Sequence, residues 1–181
     1  MIEDKASATY KHENPIVRWY FNKKMDLVIK LAKLRKKDLI LDFGCGEGQL
    51  KKRLKKYNVI GYDLNLRQTE IKDYRKLKPD KIIAMDVFEH IPKKKISGII
   101  DNFKKMNPNF ELIVALPTEG FLSRKARKLL GKRERAMGHI TSIQEILAIF
   151  RKKLKLVKKI NFFNVSYLAI FENVTKTSNM P

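Results

Sequence analysis

Short apolar runs alternate with polar, helix-patterned stretches along most of this chain. The runs at 38–43, 58–62, 81–85 and 111–116 read as buried strands, and 154–162 and 165–172 as two more. Helical patterns separate the first four, as parallel β-α-β winding demands. Only Asn164 and its neighbours join the last two, which is hairpin spacing and implies antiparallel pairing. Near the start, Pro15 opens a helix running from Ile16 to about Lys36, with apolar positions Ile16, Tyr20, Leu27, Ile29, Leu31 and Leu34 and a basic outer face. A second helix is predicted over 121–135. It is basic and amphipathic, with seven basic residues against Glu134 alone and Leu122, Ala126, Leu129 and Leu130 at helical spacing. Residues 1–14 are polar and read as loose, and 174–181 as a flexible tail.

The chemistry concentrates where the first strand ends. After Leu39, Ile40 and Leu41 come Asp42 and three glycines at alternate positions, Gly44, Gly46 and Gly48, and then a helical pattern from Gln49. Glycines serve such a turn because it needs unusual backbone angles and because a missing Cβ lets a ligand lie against the main chain. Backbone N–H groups at the helix start can then hold the ligand's polar groups. A dinucleotide fingerprint wants G-x-G-x-x-G, so the G-x-G-x-G spacing behind Asp42 favours a different ligand. Asp63 closes the second strand, twenty-one residues beyond Asp42. One strand–helix–strand unit produces that separation, and an acid there can accept hydrogen bonds from both hydroxyls of a ribose. The alternative for Asp63 is a solvated aspartate that starts a turn.

The run Asp42-Phe43-Gly44-Cys45-Gly46-Glu47-Gly48 resembles the first motif of the class I S-adenosylmethionine (SAM) dependent methyltransferases. Asp86-Val87-Phe88-Glu89-His90 is similar to the fourth-strand motif of their type 11 group, and Gly138-His139-Ile140-Thr141-Ser142 to a later signature of that group. The resemblance implies an α/β, Rossmann-like fold: a seven-stranded, mostly parallel sheet with helices on both faces and a C-terminal antiparallel hairpin. It implies a SAM-binding domain over 38–173, preceded by an N-terminal segment and helix, 1–37, that covers the cofactor cleft. The cofactor would be SAM, with Asp42, Gly44, Cys45, Gly46, Gly48, Asp63, Leu64, Asp86 and Val87 as its contacts. A very short third strand is expected around Ile71-Lys72-Asp73-Tyr74, with Asp73 on the adenine amino group. Trp19, Tyr20 and Phe21 would either touch the acceptor or pack into the core.

A sulfonium methyl is already activated, so transfer is an in-line displacement in which the protein aligns the acceptor and excludes water. A base helps only when the acceptor must lose a proton. The candidates are Glu89, His90 and His139, with a structural role as the rival for each histidine; His139 would cap or orient the helix start near Thr141.

Composition narrows the partners less. With 181 residues and 44% hydrophobic content the chain suits one domain with one substantial core. Cys45 is the sole cysteine, so no intramolecular disulfide or cysteine metal cluster forms, and no metal is expected. The longest apolar run, Leu112 to Leu116, is far too short to cross a bilayer, and no signal-peptide core opens the chain, so a cytoplasmic protein is expected. The net charge of +21 points to an anionic partner or to a general lysine bias, since 30 of the 40 basic residues are lysine.

Three function classes follow. The first is methyl transfer to a small-molecule or lipid-like acceptor, anionic for preference, with 121–135 resting on an anionic membrane or nucleic acid. The second is RNA methylation through the basic surface, which lacks an N-P-P-Y-like motif, a catalytic cysteine pair and an appended RNA-binding domain. The third is a non-catalytic SAM- or nucleotide-binding protein.

Overall fold

The computed structural model describes residue 10, residues 13–118 and residues 139–174. The predicted basic helix at 121–135 lies outside the described residues, as do residues 1–9 and everything beyond 174.

Helix α1 (Pro15–Ala32) starts where the sequence places it. The Asn14 side chain accepts the Ile16 N–H at 2.9 Å, and Pro15 fills the first helical position, where a missing N–H costs nothing. It ends four residues before Lys36, at Ala32, because Lys33 turns into the left-handed region with φ of 46°. Strand β1 (Leu39–Phe43), helix α2 (Gln49–Arg53), strands β2 (Asn58–Tyr62) and β3 (Lys81–Met85), helix α3 (Lys93–Met106), strand β4 (Glu111–Pro117), helix α4 (Ile143–Lys153) and strands β5 (Leu154–Phe162) and β6 (Ser166–Asn173) follow.

These strands form one sheet in the order β2-β1-β3-β4-β6-β5. The first four are parallel, and β6 runs antiparallel to both β4 and β5. Parallel strands covered on both faces need continuous apolar sequence, which the runs Ile82-Ile83-Ala84 and Leu112 to Leu116 supply; all are buried. One face packs on α3 and α4 through Phe88, Ile100, Phe103, Ile146 and Phe150. The other packs on α1 and α2 through Met25, Val28, Leu31, Leu50 and Leu54. Each such side chain taken out of water contributes about 1.5–3 kcal/mol.

The sheet has six strands rather than the expected seven. Residues 71–74 form no strand; the segment after β2 is so short that it is taken up by turns and by a 3-10 turn at Tyr74–Lys76. β2 is therefore an edge strand, and the crevice beside it lacks a neighbouring strand tip. The buried stripe of α1 also differs from the predicted one. Ile16 is 72% exposed, and the stripe runs through Val17, Lys24, Met25, Val28, Leu31 and Ala32. The apolar pattern spreads around most of this helix, so periodicity alone did not single out one face.

Candidate active site

The parallel strands all deliver their C-terminal ends to one edge of the sheet, and the ligand-facing motifs gather there. After Phe43 the chain turns through Gly44, Gly46 and Gly48, whose φ angles are 80°, 49° and 70°. These left-handed values strain any other residue, which accounts for the glycine spacing. At Gly44 a second reason applies: a Cβ there would lie 2.4 Å from Val87 Cγ2. Val87 thus presses against the bare backbone from β3's end.

Asp63 locks the loop to β2. Its Oδ2 accepts the Gly46 N–H at 2.9 Å while its Oδ1 accepts the Asn65 N–H at 2.9 Å. The Gly44 N–H donates to the Tyr62 carbonyl at 2.7 Å, so both ends of the turn are anchored to the neighbouring strand. With one N–H on each oxygen, the Asp63 carboxylate keeps lone pairs for a diol. Asp42 lies below the loop, buried, and its Oδ2 has no hydrogen-bond partner among the described residues. Burial, reinforced by the nearby negative charges of Asp63 and Glu70, lifts its carboxyl from 3.8 to about 7. A buried acid with an unpartnered oxygen beneath the glycine turn suits a ligand that brings a positive charge.

The cleft at the loop encloses about 480 Å³, bounded by Asp42, Gly46, Gly48, Lys51, Gly61 and Glu70 among others. Gly48 has open space where a side chain would be. Cys45 lines this space as well. Its Sγ occupies the room left by Gly61, where a Cβ would come within 2.9 Å of it, and it donates to the Gln68 carbonyl at 3.5 Å. Burial first, then Asp42, Asp63 and Glu70, pushes the thiol up to about 12, so it is no nucleophile.

Three other predicted contacts sit differently. Leu64 is 85% exposed, standing out beside Asp63. Asp73 does not cap a strand tip: its carboxylate accepts the Arg75 backbone N–H at 3.0 Å and the Arg75 side chain at 2.7 and 3.0 Å, and that guanidinium holds it below the usual carboxylate range. With no strand at 71–74, the geometry behind its adenine role is missing. Asp86 ends β3 in the left-handed region, φ 56°, with its carboxylate ion-paired to Lys24 of α1.

That lysine was absent from the sequence-derived candidates. Its side chain is only 2% exposed, and its ammonium lies 4.5 Å from the centre of the Phe21 ring. The available signal was spacing: Val17, Lys24, Val28 and Leu31 fall on one helical stripe, and a lysine in a core stripe needs an anionic partner. Tyr10 was also missed. Its ring meets Phe21 edge-on at 5.9 Å, and its hydroxyl is pushed well up by burial and then by the negative charges of Asp86 and Asp42. The predicted aromatics differ in their surroundings. Tyr20 stacks on Phe162 at 5.2 Å and its hydroxyl meets Ser166 Oγ at 2.7 Å, whereas Trp19 is 53% exposed beside Phe163.

Glu89, His90 and His139 come together. Glu89 is 2% exposed, with Oε1 3.9 Å from His139 Nε2, and the two imidazoles meet edge-on with centres 5.0 Å apart. Two segments that are about 50 residues apart are laced by backbone bonds: the Glu89 carbonyl accepts from the N–H of Ile140 at 2.8 Å and of Thr141 at 3.2 Å. The Thr141 hydroxyl donates to the Ile91 carbonyl at 2.6 Å. His139 is not the helix cap. Ser142 caps α4 in a reciprocal box with Glu145, which leaves the imidazole to other work.

The methyltransferase-domain family matches residues 16–153. Three solved structures share the fold. The PH0226 protein from Pyrococcus horikoshii OT3 has a TM-score of 0.70 at 14% identity, over 92% of this chain and 95% of that one. Magnesium protoporphyrin IX methyltransferase from Synechocystis PCC 6803, solved with bound S-adenosylhomocysteine (SAH), has a TM-score of 0.63 at 17% identity, over 88% of each chain. The cyclopropane synthase MmaA2 from Mycobacterium tuberculosis has a TM-score of 0.59 at 17% identity, over 84% of this chain and 67% of that one. No curated protein sequence matches the chain. The chain belongs to the methyltransferase-domain family and is a SAM-dependent methyltransferase. Among the described residues no helix is long and apolar enough to cross a membrane.

Proposed function

We propose that this enzyme transfers the methyl group of SAM to a small-molecule or lipid-like acceptor held between α1 and the Glu89–His90–His139 cluster. The observation that carries this reading is the convergence of two differently built surfaces on one sheet edge. On one side are N–H groups and the acids Asp42 and Asp63; on the other are aromatic side chains and a carboxylate–imidazole group. SAM supplies a methyl already activated on a sulfonium. Gly44, Gly46 and Gly48 would hold its amino-acid end, Asp42 would answer its ammonium, and Asp63 its ribose hydroxyls. Leu64 would lie over the base as an apolar cover, and Asp86, through Lys24, holds α1 in place rather than meeting the cofactor.

On the acceptor side, a nucleophilic atom takes the methyl as the carbon–sulfur bond breaks with its electron pair left on sulfur. The proton lost by that atom passes to the Glu89–His139 pair, whose second histidine, His90, is open to solvent. The acceptors named for two structural neighbours, a magnesium porphyrin and a lipid-modifying cyclopropane synthase, support the acceptor class. The net charge of +21 favours anionic members of it. Incubating the enzyme with methyl-labelled SAM and fractionated cell extract tests this. Label is expected in the solvent-extractable small-molecule or lipid fraction, whereas label confined to RNA would move the enzyme to nucleic-acid methylation.

A further inference from the structure

We infer that Glu89, His90 and His139 form a binding site for a divalent transition-metal cation, of which Zn²⁺ is the reference case. One donor atom from each, a carboxylate oxygen and two imidazole nitrogens, lies within 4.8 Å of the others. Around a tetrahedral cation with bonds near 2.0–2.1 Å, donors stand roughly 3.4 Å apart. Closing from the observed spacing takes movements of about 1 Å, within the reach of side-chain torsions. The backbone is already set. The hydrogen bonds from Ile140 and Thr141 to the Glu89 carbonyl, and from Thr141 to the Ile91 carbonyl, prevent the two segments from drifting apart.

The donor types select the ion. Two imidazoles and one carboxylate suit zinc, manganese, iron, cobalt or nickel, while calcium and magnesium prefer oxygen alone. Three protein ligands with one of them, His90, at the solvent-exposed side leave a coordination position open, as catalytic rather than structural sites do. Glu89 contributes a carboxylate oxygen from a position 2% exposed, and coordinating a metal is one of the few roles that suit a buried carboxyl group. The chain's net positive charge opposes this little, since exposed lysines are screened beyond about 10 Å at 0.1 M salt.

The consequence for the acceptor rests on the methyl-transfer reading above. A cation at this place ligates an acceptor oxygen and displaces its proton to solvent, so the favoured acceptor carries a hydroxyl or enol next to a second oxygen donor. The ligating oxygen then takes the methyl, and the cluster works on the acceptor through the metal instead of as a bare base.

The test uses the tag-free full chain, stripped with chelator. Titration with Co²⁺, followed by visible absorption, and with Zn²⁺, followed by competition calorimetry, is expected to show one site per chain. Affinity should fall at least tenfold in His139→Ala and in Glu89→Gln, and stay unchanged in His12→Gln, the chain's third histidine. Equal affinity in the wild type and His139→Ala, or an equal loss in His12→Gln, overturns the site. Melting temperature and SAH affinity, read on each variant, exclude misfolding as the cause of a loss. Metal-free wild type that binds SAH but no cation would sink the metal site and leave methyl transfer standing; cation binding without SAH binding would do the reverse.

Discussion

The proposed cofactor side and the proposed acceptor side of this cleft are built in opposite ways. The cofactor side uses the seven consecutive residues 42–48, plus Asp63 one strand away, and its turn is set by left-handed glycines whose N–H groups bond to Tyr62, Asp63 and Cys45. On the acceptor side, α1, the end of β3 and the segment before α4 each contribute one or two side chains, joined by an ion pair and backbone bonds. Such a turn has no room for an added atom at Gly44 but is indifferent to most side chains around it. A side-chain assembly can be retuned residue by residue, which is how one fold serves many acceptors.

The sharpest way to break this contrast is at Gly44. Gly44→Ala places a methyl 2.4 Å from Val87 Cγ2 at φ of 80°, and should abolish SAH binding measured by calorimetry while the far-ultraviolet circular dichroism stays native. Adding Val87→Ala should restore binding in part; a double variant no better than the single would show that backbone strain, rather than contact with Val87, decides.

Asp63→Ala is next. Losing hydrogen bonds both to the Gly46 N–H and to the ribose should weaken SAH by about 1.5–3 kcal/mol. Unchanged affinity would take Asp63 out of the site.

Asp42 sharpens the comparison through pH. Its folded value, about 7, lies above the unfolded value of 3.8, so the folded state holds the extra proton. Stability attributable to this group is present below pH 4 and is lost as pH rises toward 7. Asp42→Asn should therefore be more stable than wild type by about 1–3 kcal/mol at pH 8, with the gap closing near pH 4, in denaturant titrations. Wild-type SAH affinity should rise through pH 7 as the acid ionises beneath the ligand's ammonium, and the Asn variant should be flat.

On the acceptor side, Lys24→Met should cost about 1–2 kcal/mol of stability, discounted because Asp86 is partly exposed, and should cut turnover while SAH affinity holds within a few-fold. An equal loss of SAH affinity would merge the two regions into one. The smallest effect is expected from Tyr20→Phe, about 0.5–1.5 kcal/mol from the lost bond to Ser166, visible in thermal melts.

The two sides were also unequally legible. The central strands β1, β3, β4 and β6 match runs of mostly apolar residues, because a strand buried on both faces must be apolar along its length, whereas the edge strand β5 carries three lysines. The glycine turn was readable for a related reason, since its φ angles exclude other residues. The expected third strand failed because the family pattern was carried onto a connection too short to hold it; Asp73 then turned to Arg75, two residues away. Lys24 was passed over because a lysine on a basic helix looks like one more solvated charge until the sheet supplies Asp86.

The order of strands and turns along the chain, and the residues of the glycine turn, follow from local rules: burial favours apolar runs, and left-handed turns favour glycine. Which lysine is buried, which histidine faces which carboxylate and where α1 docks depend on contacts between segments tens of residues apart. No periodicity encodes these, because each is a choice among many chemically equal partners that only the packed sheet makes.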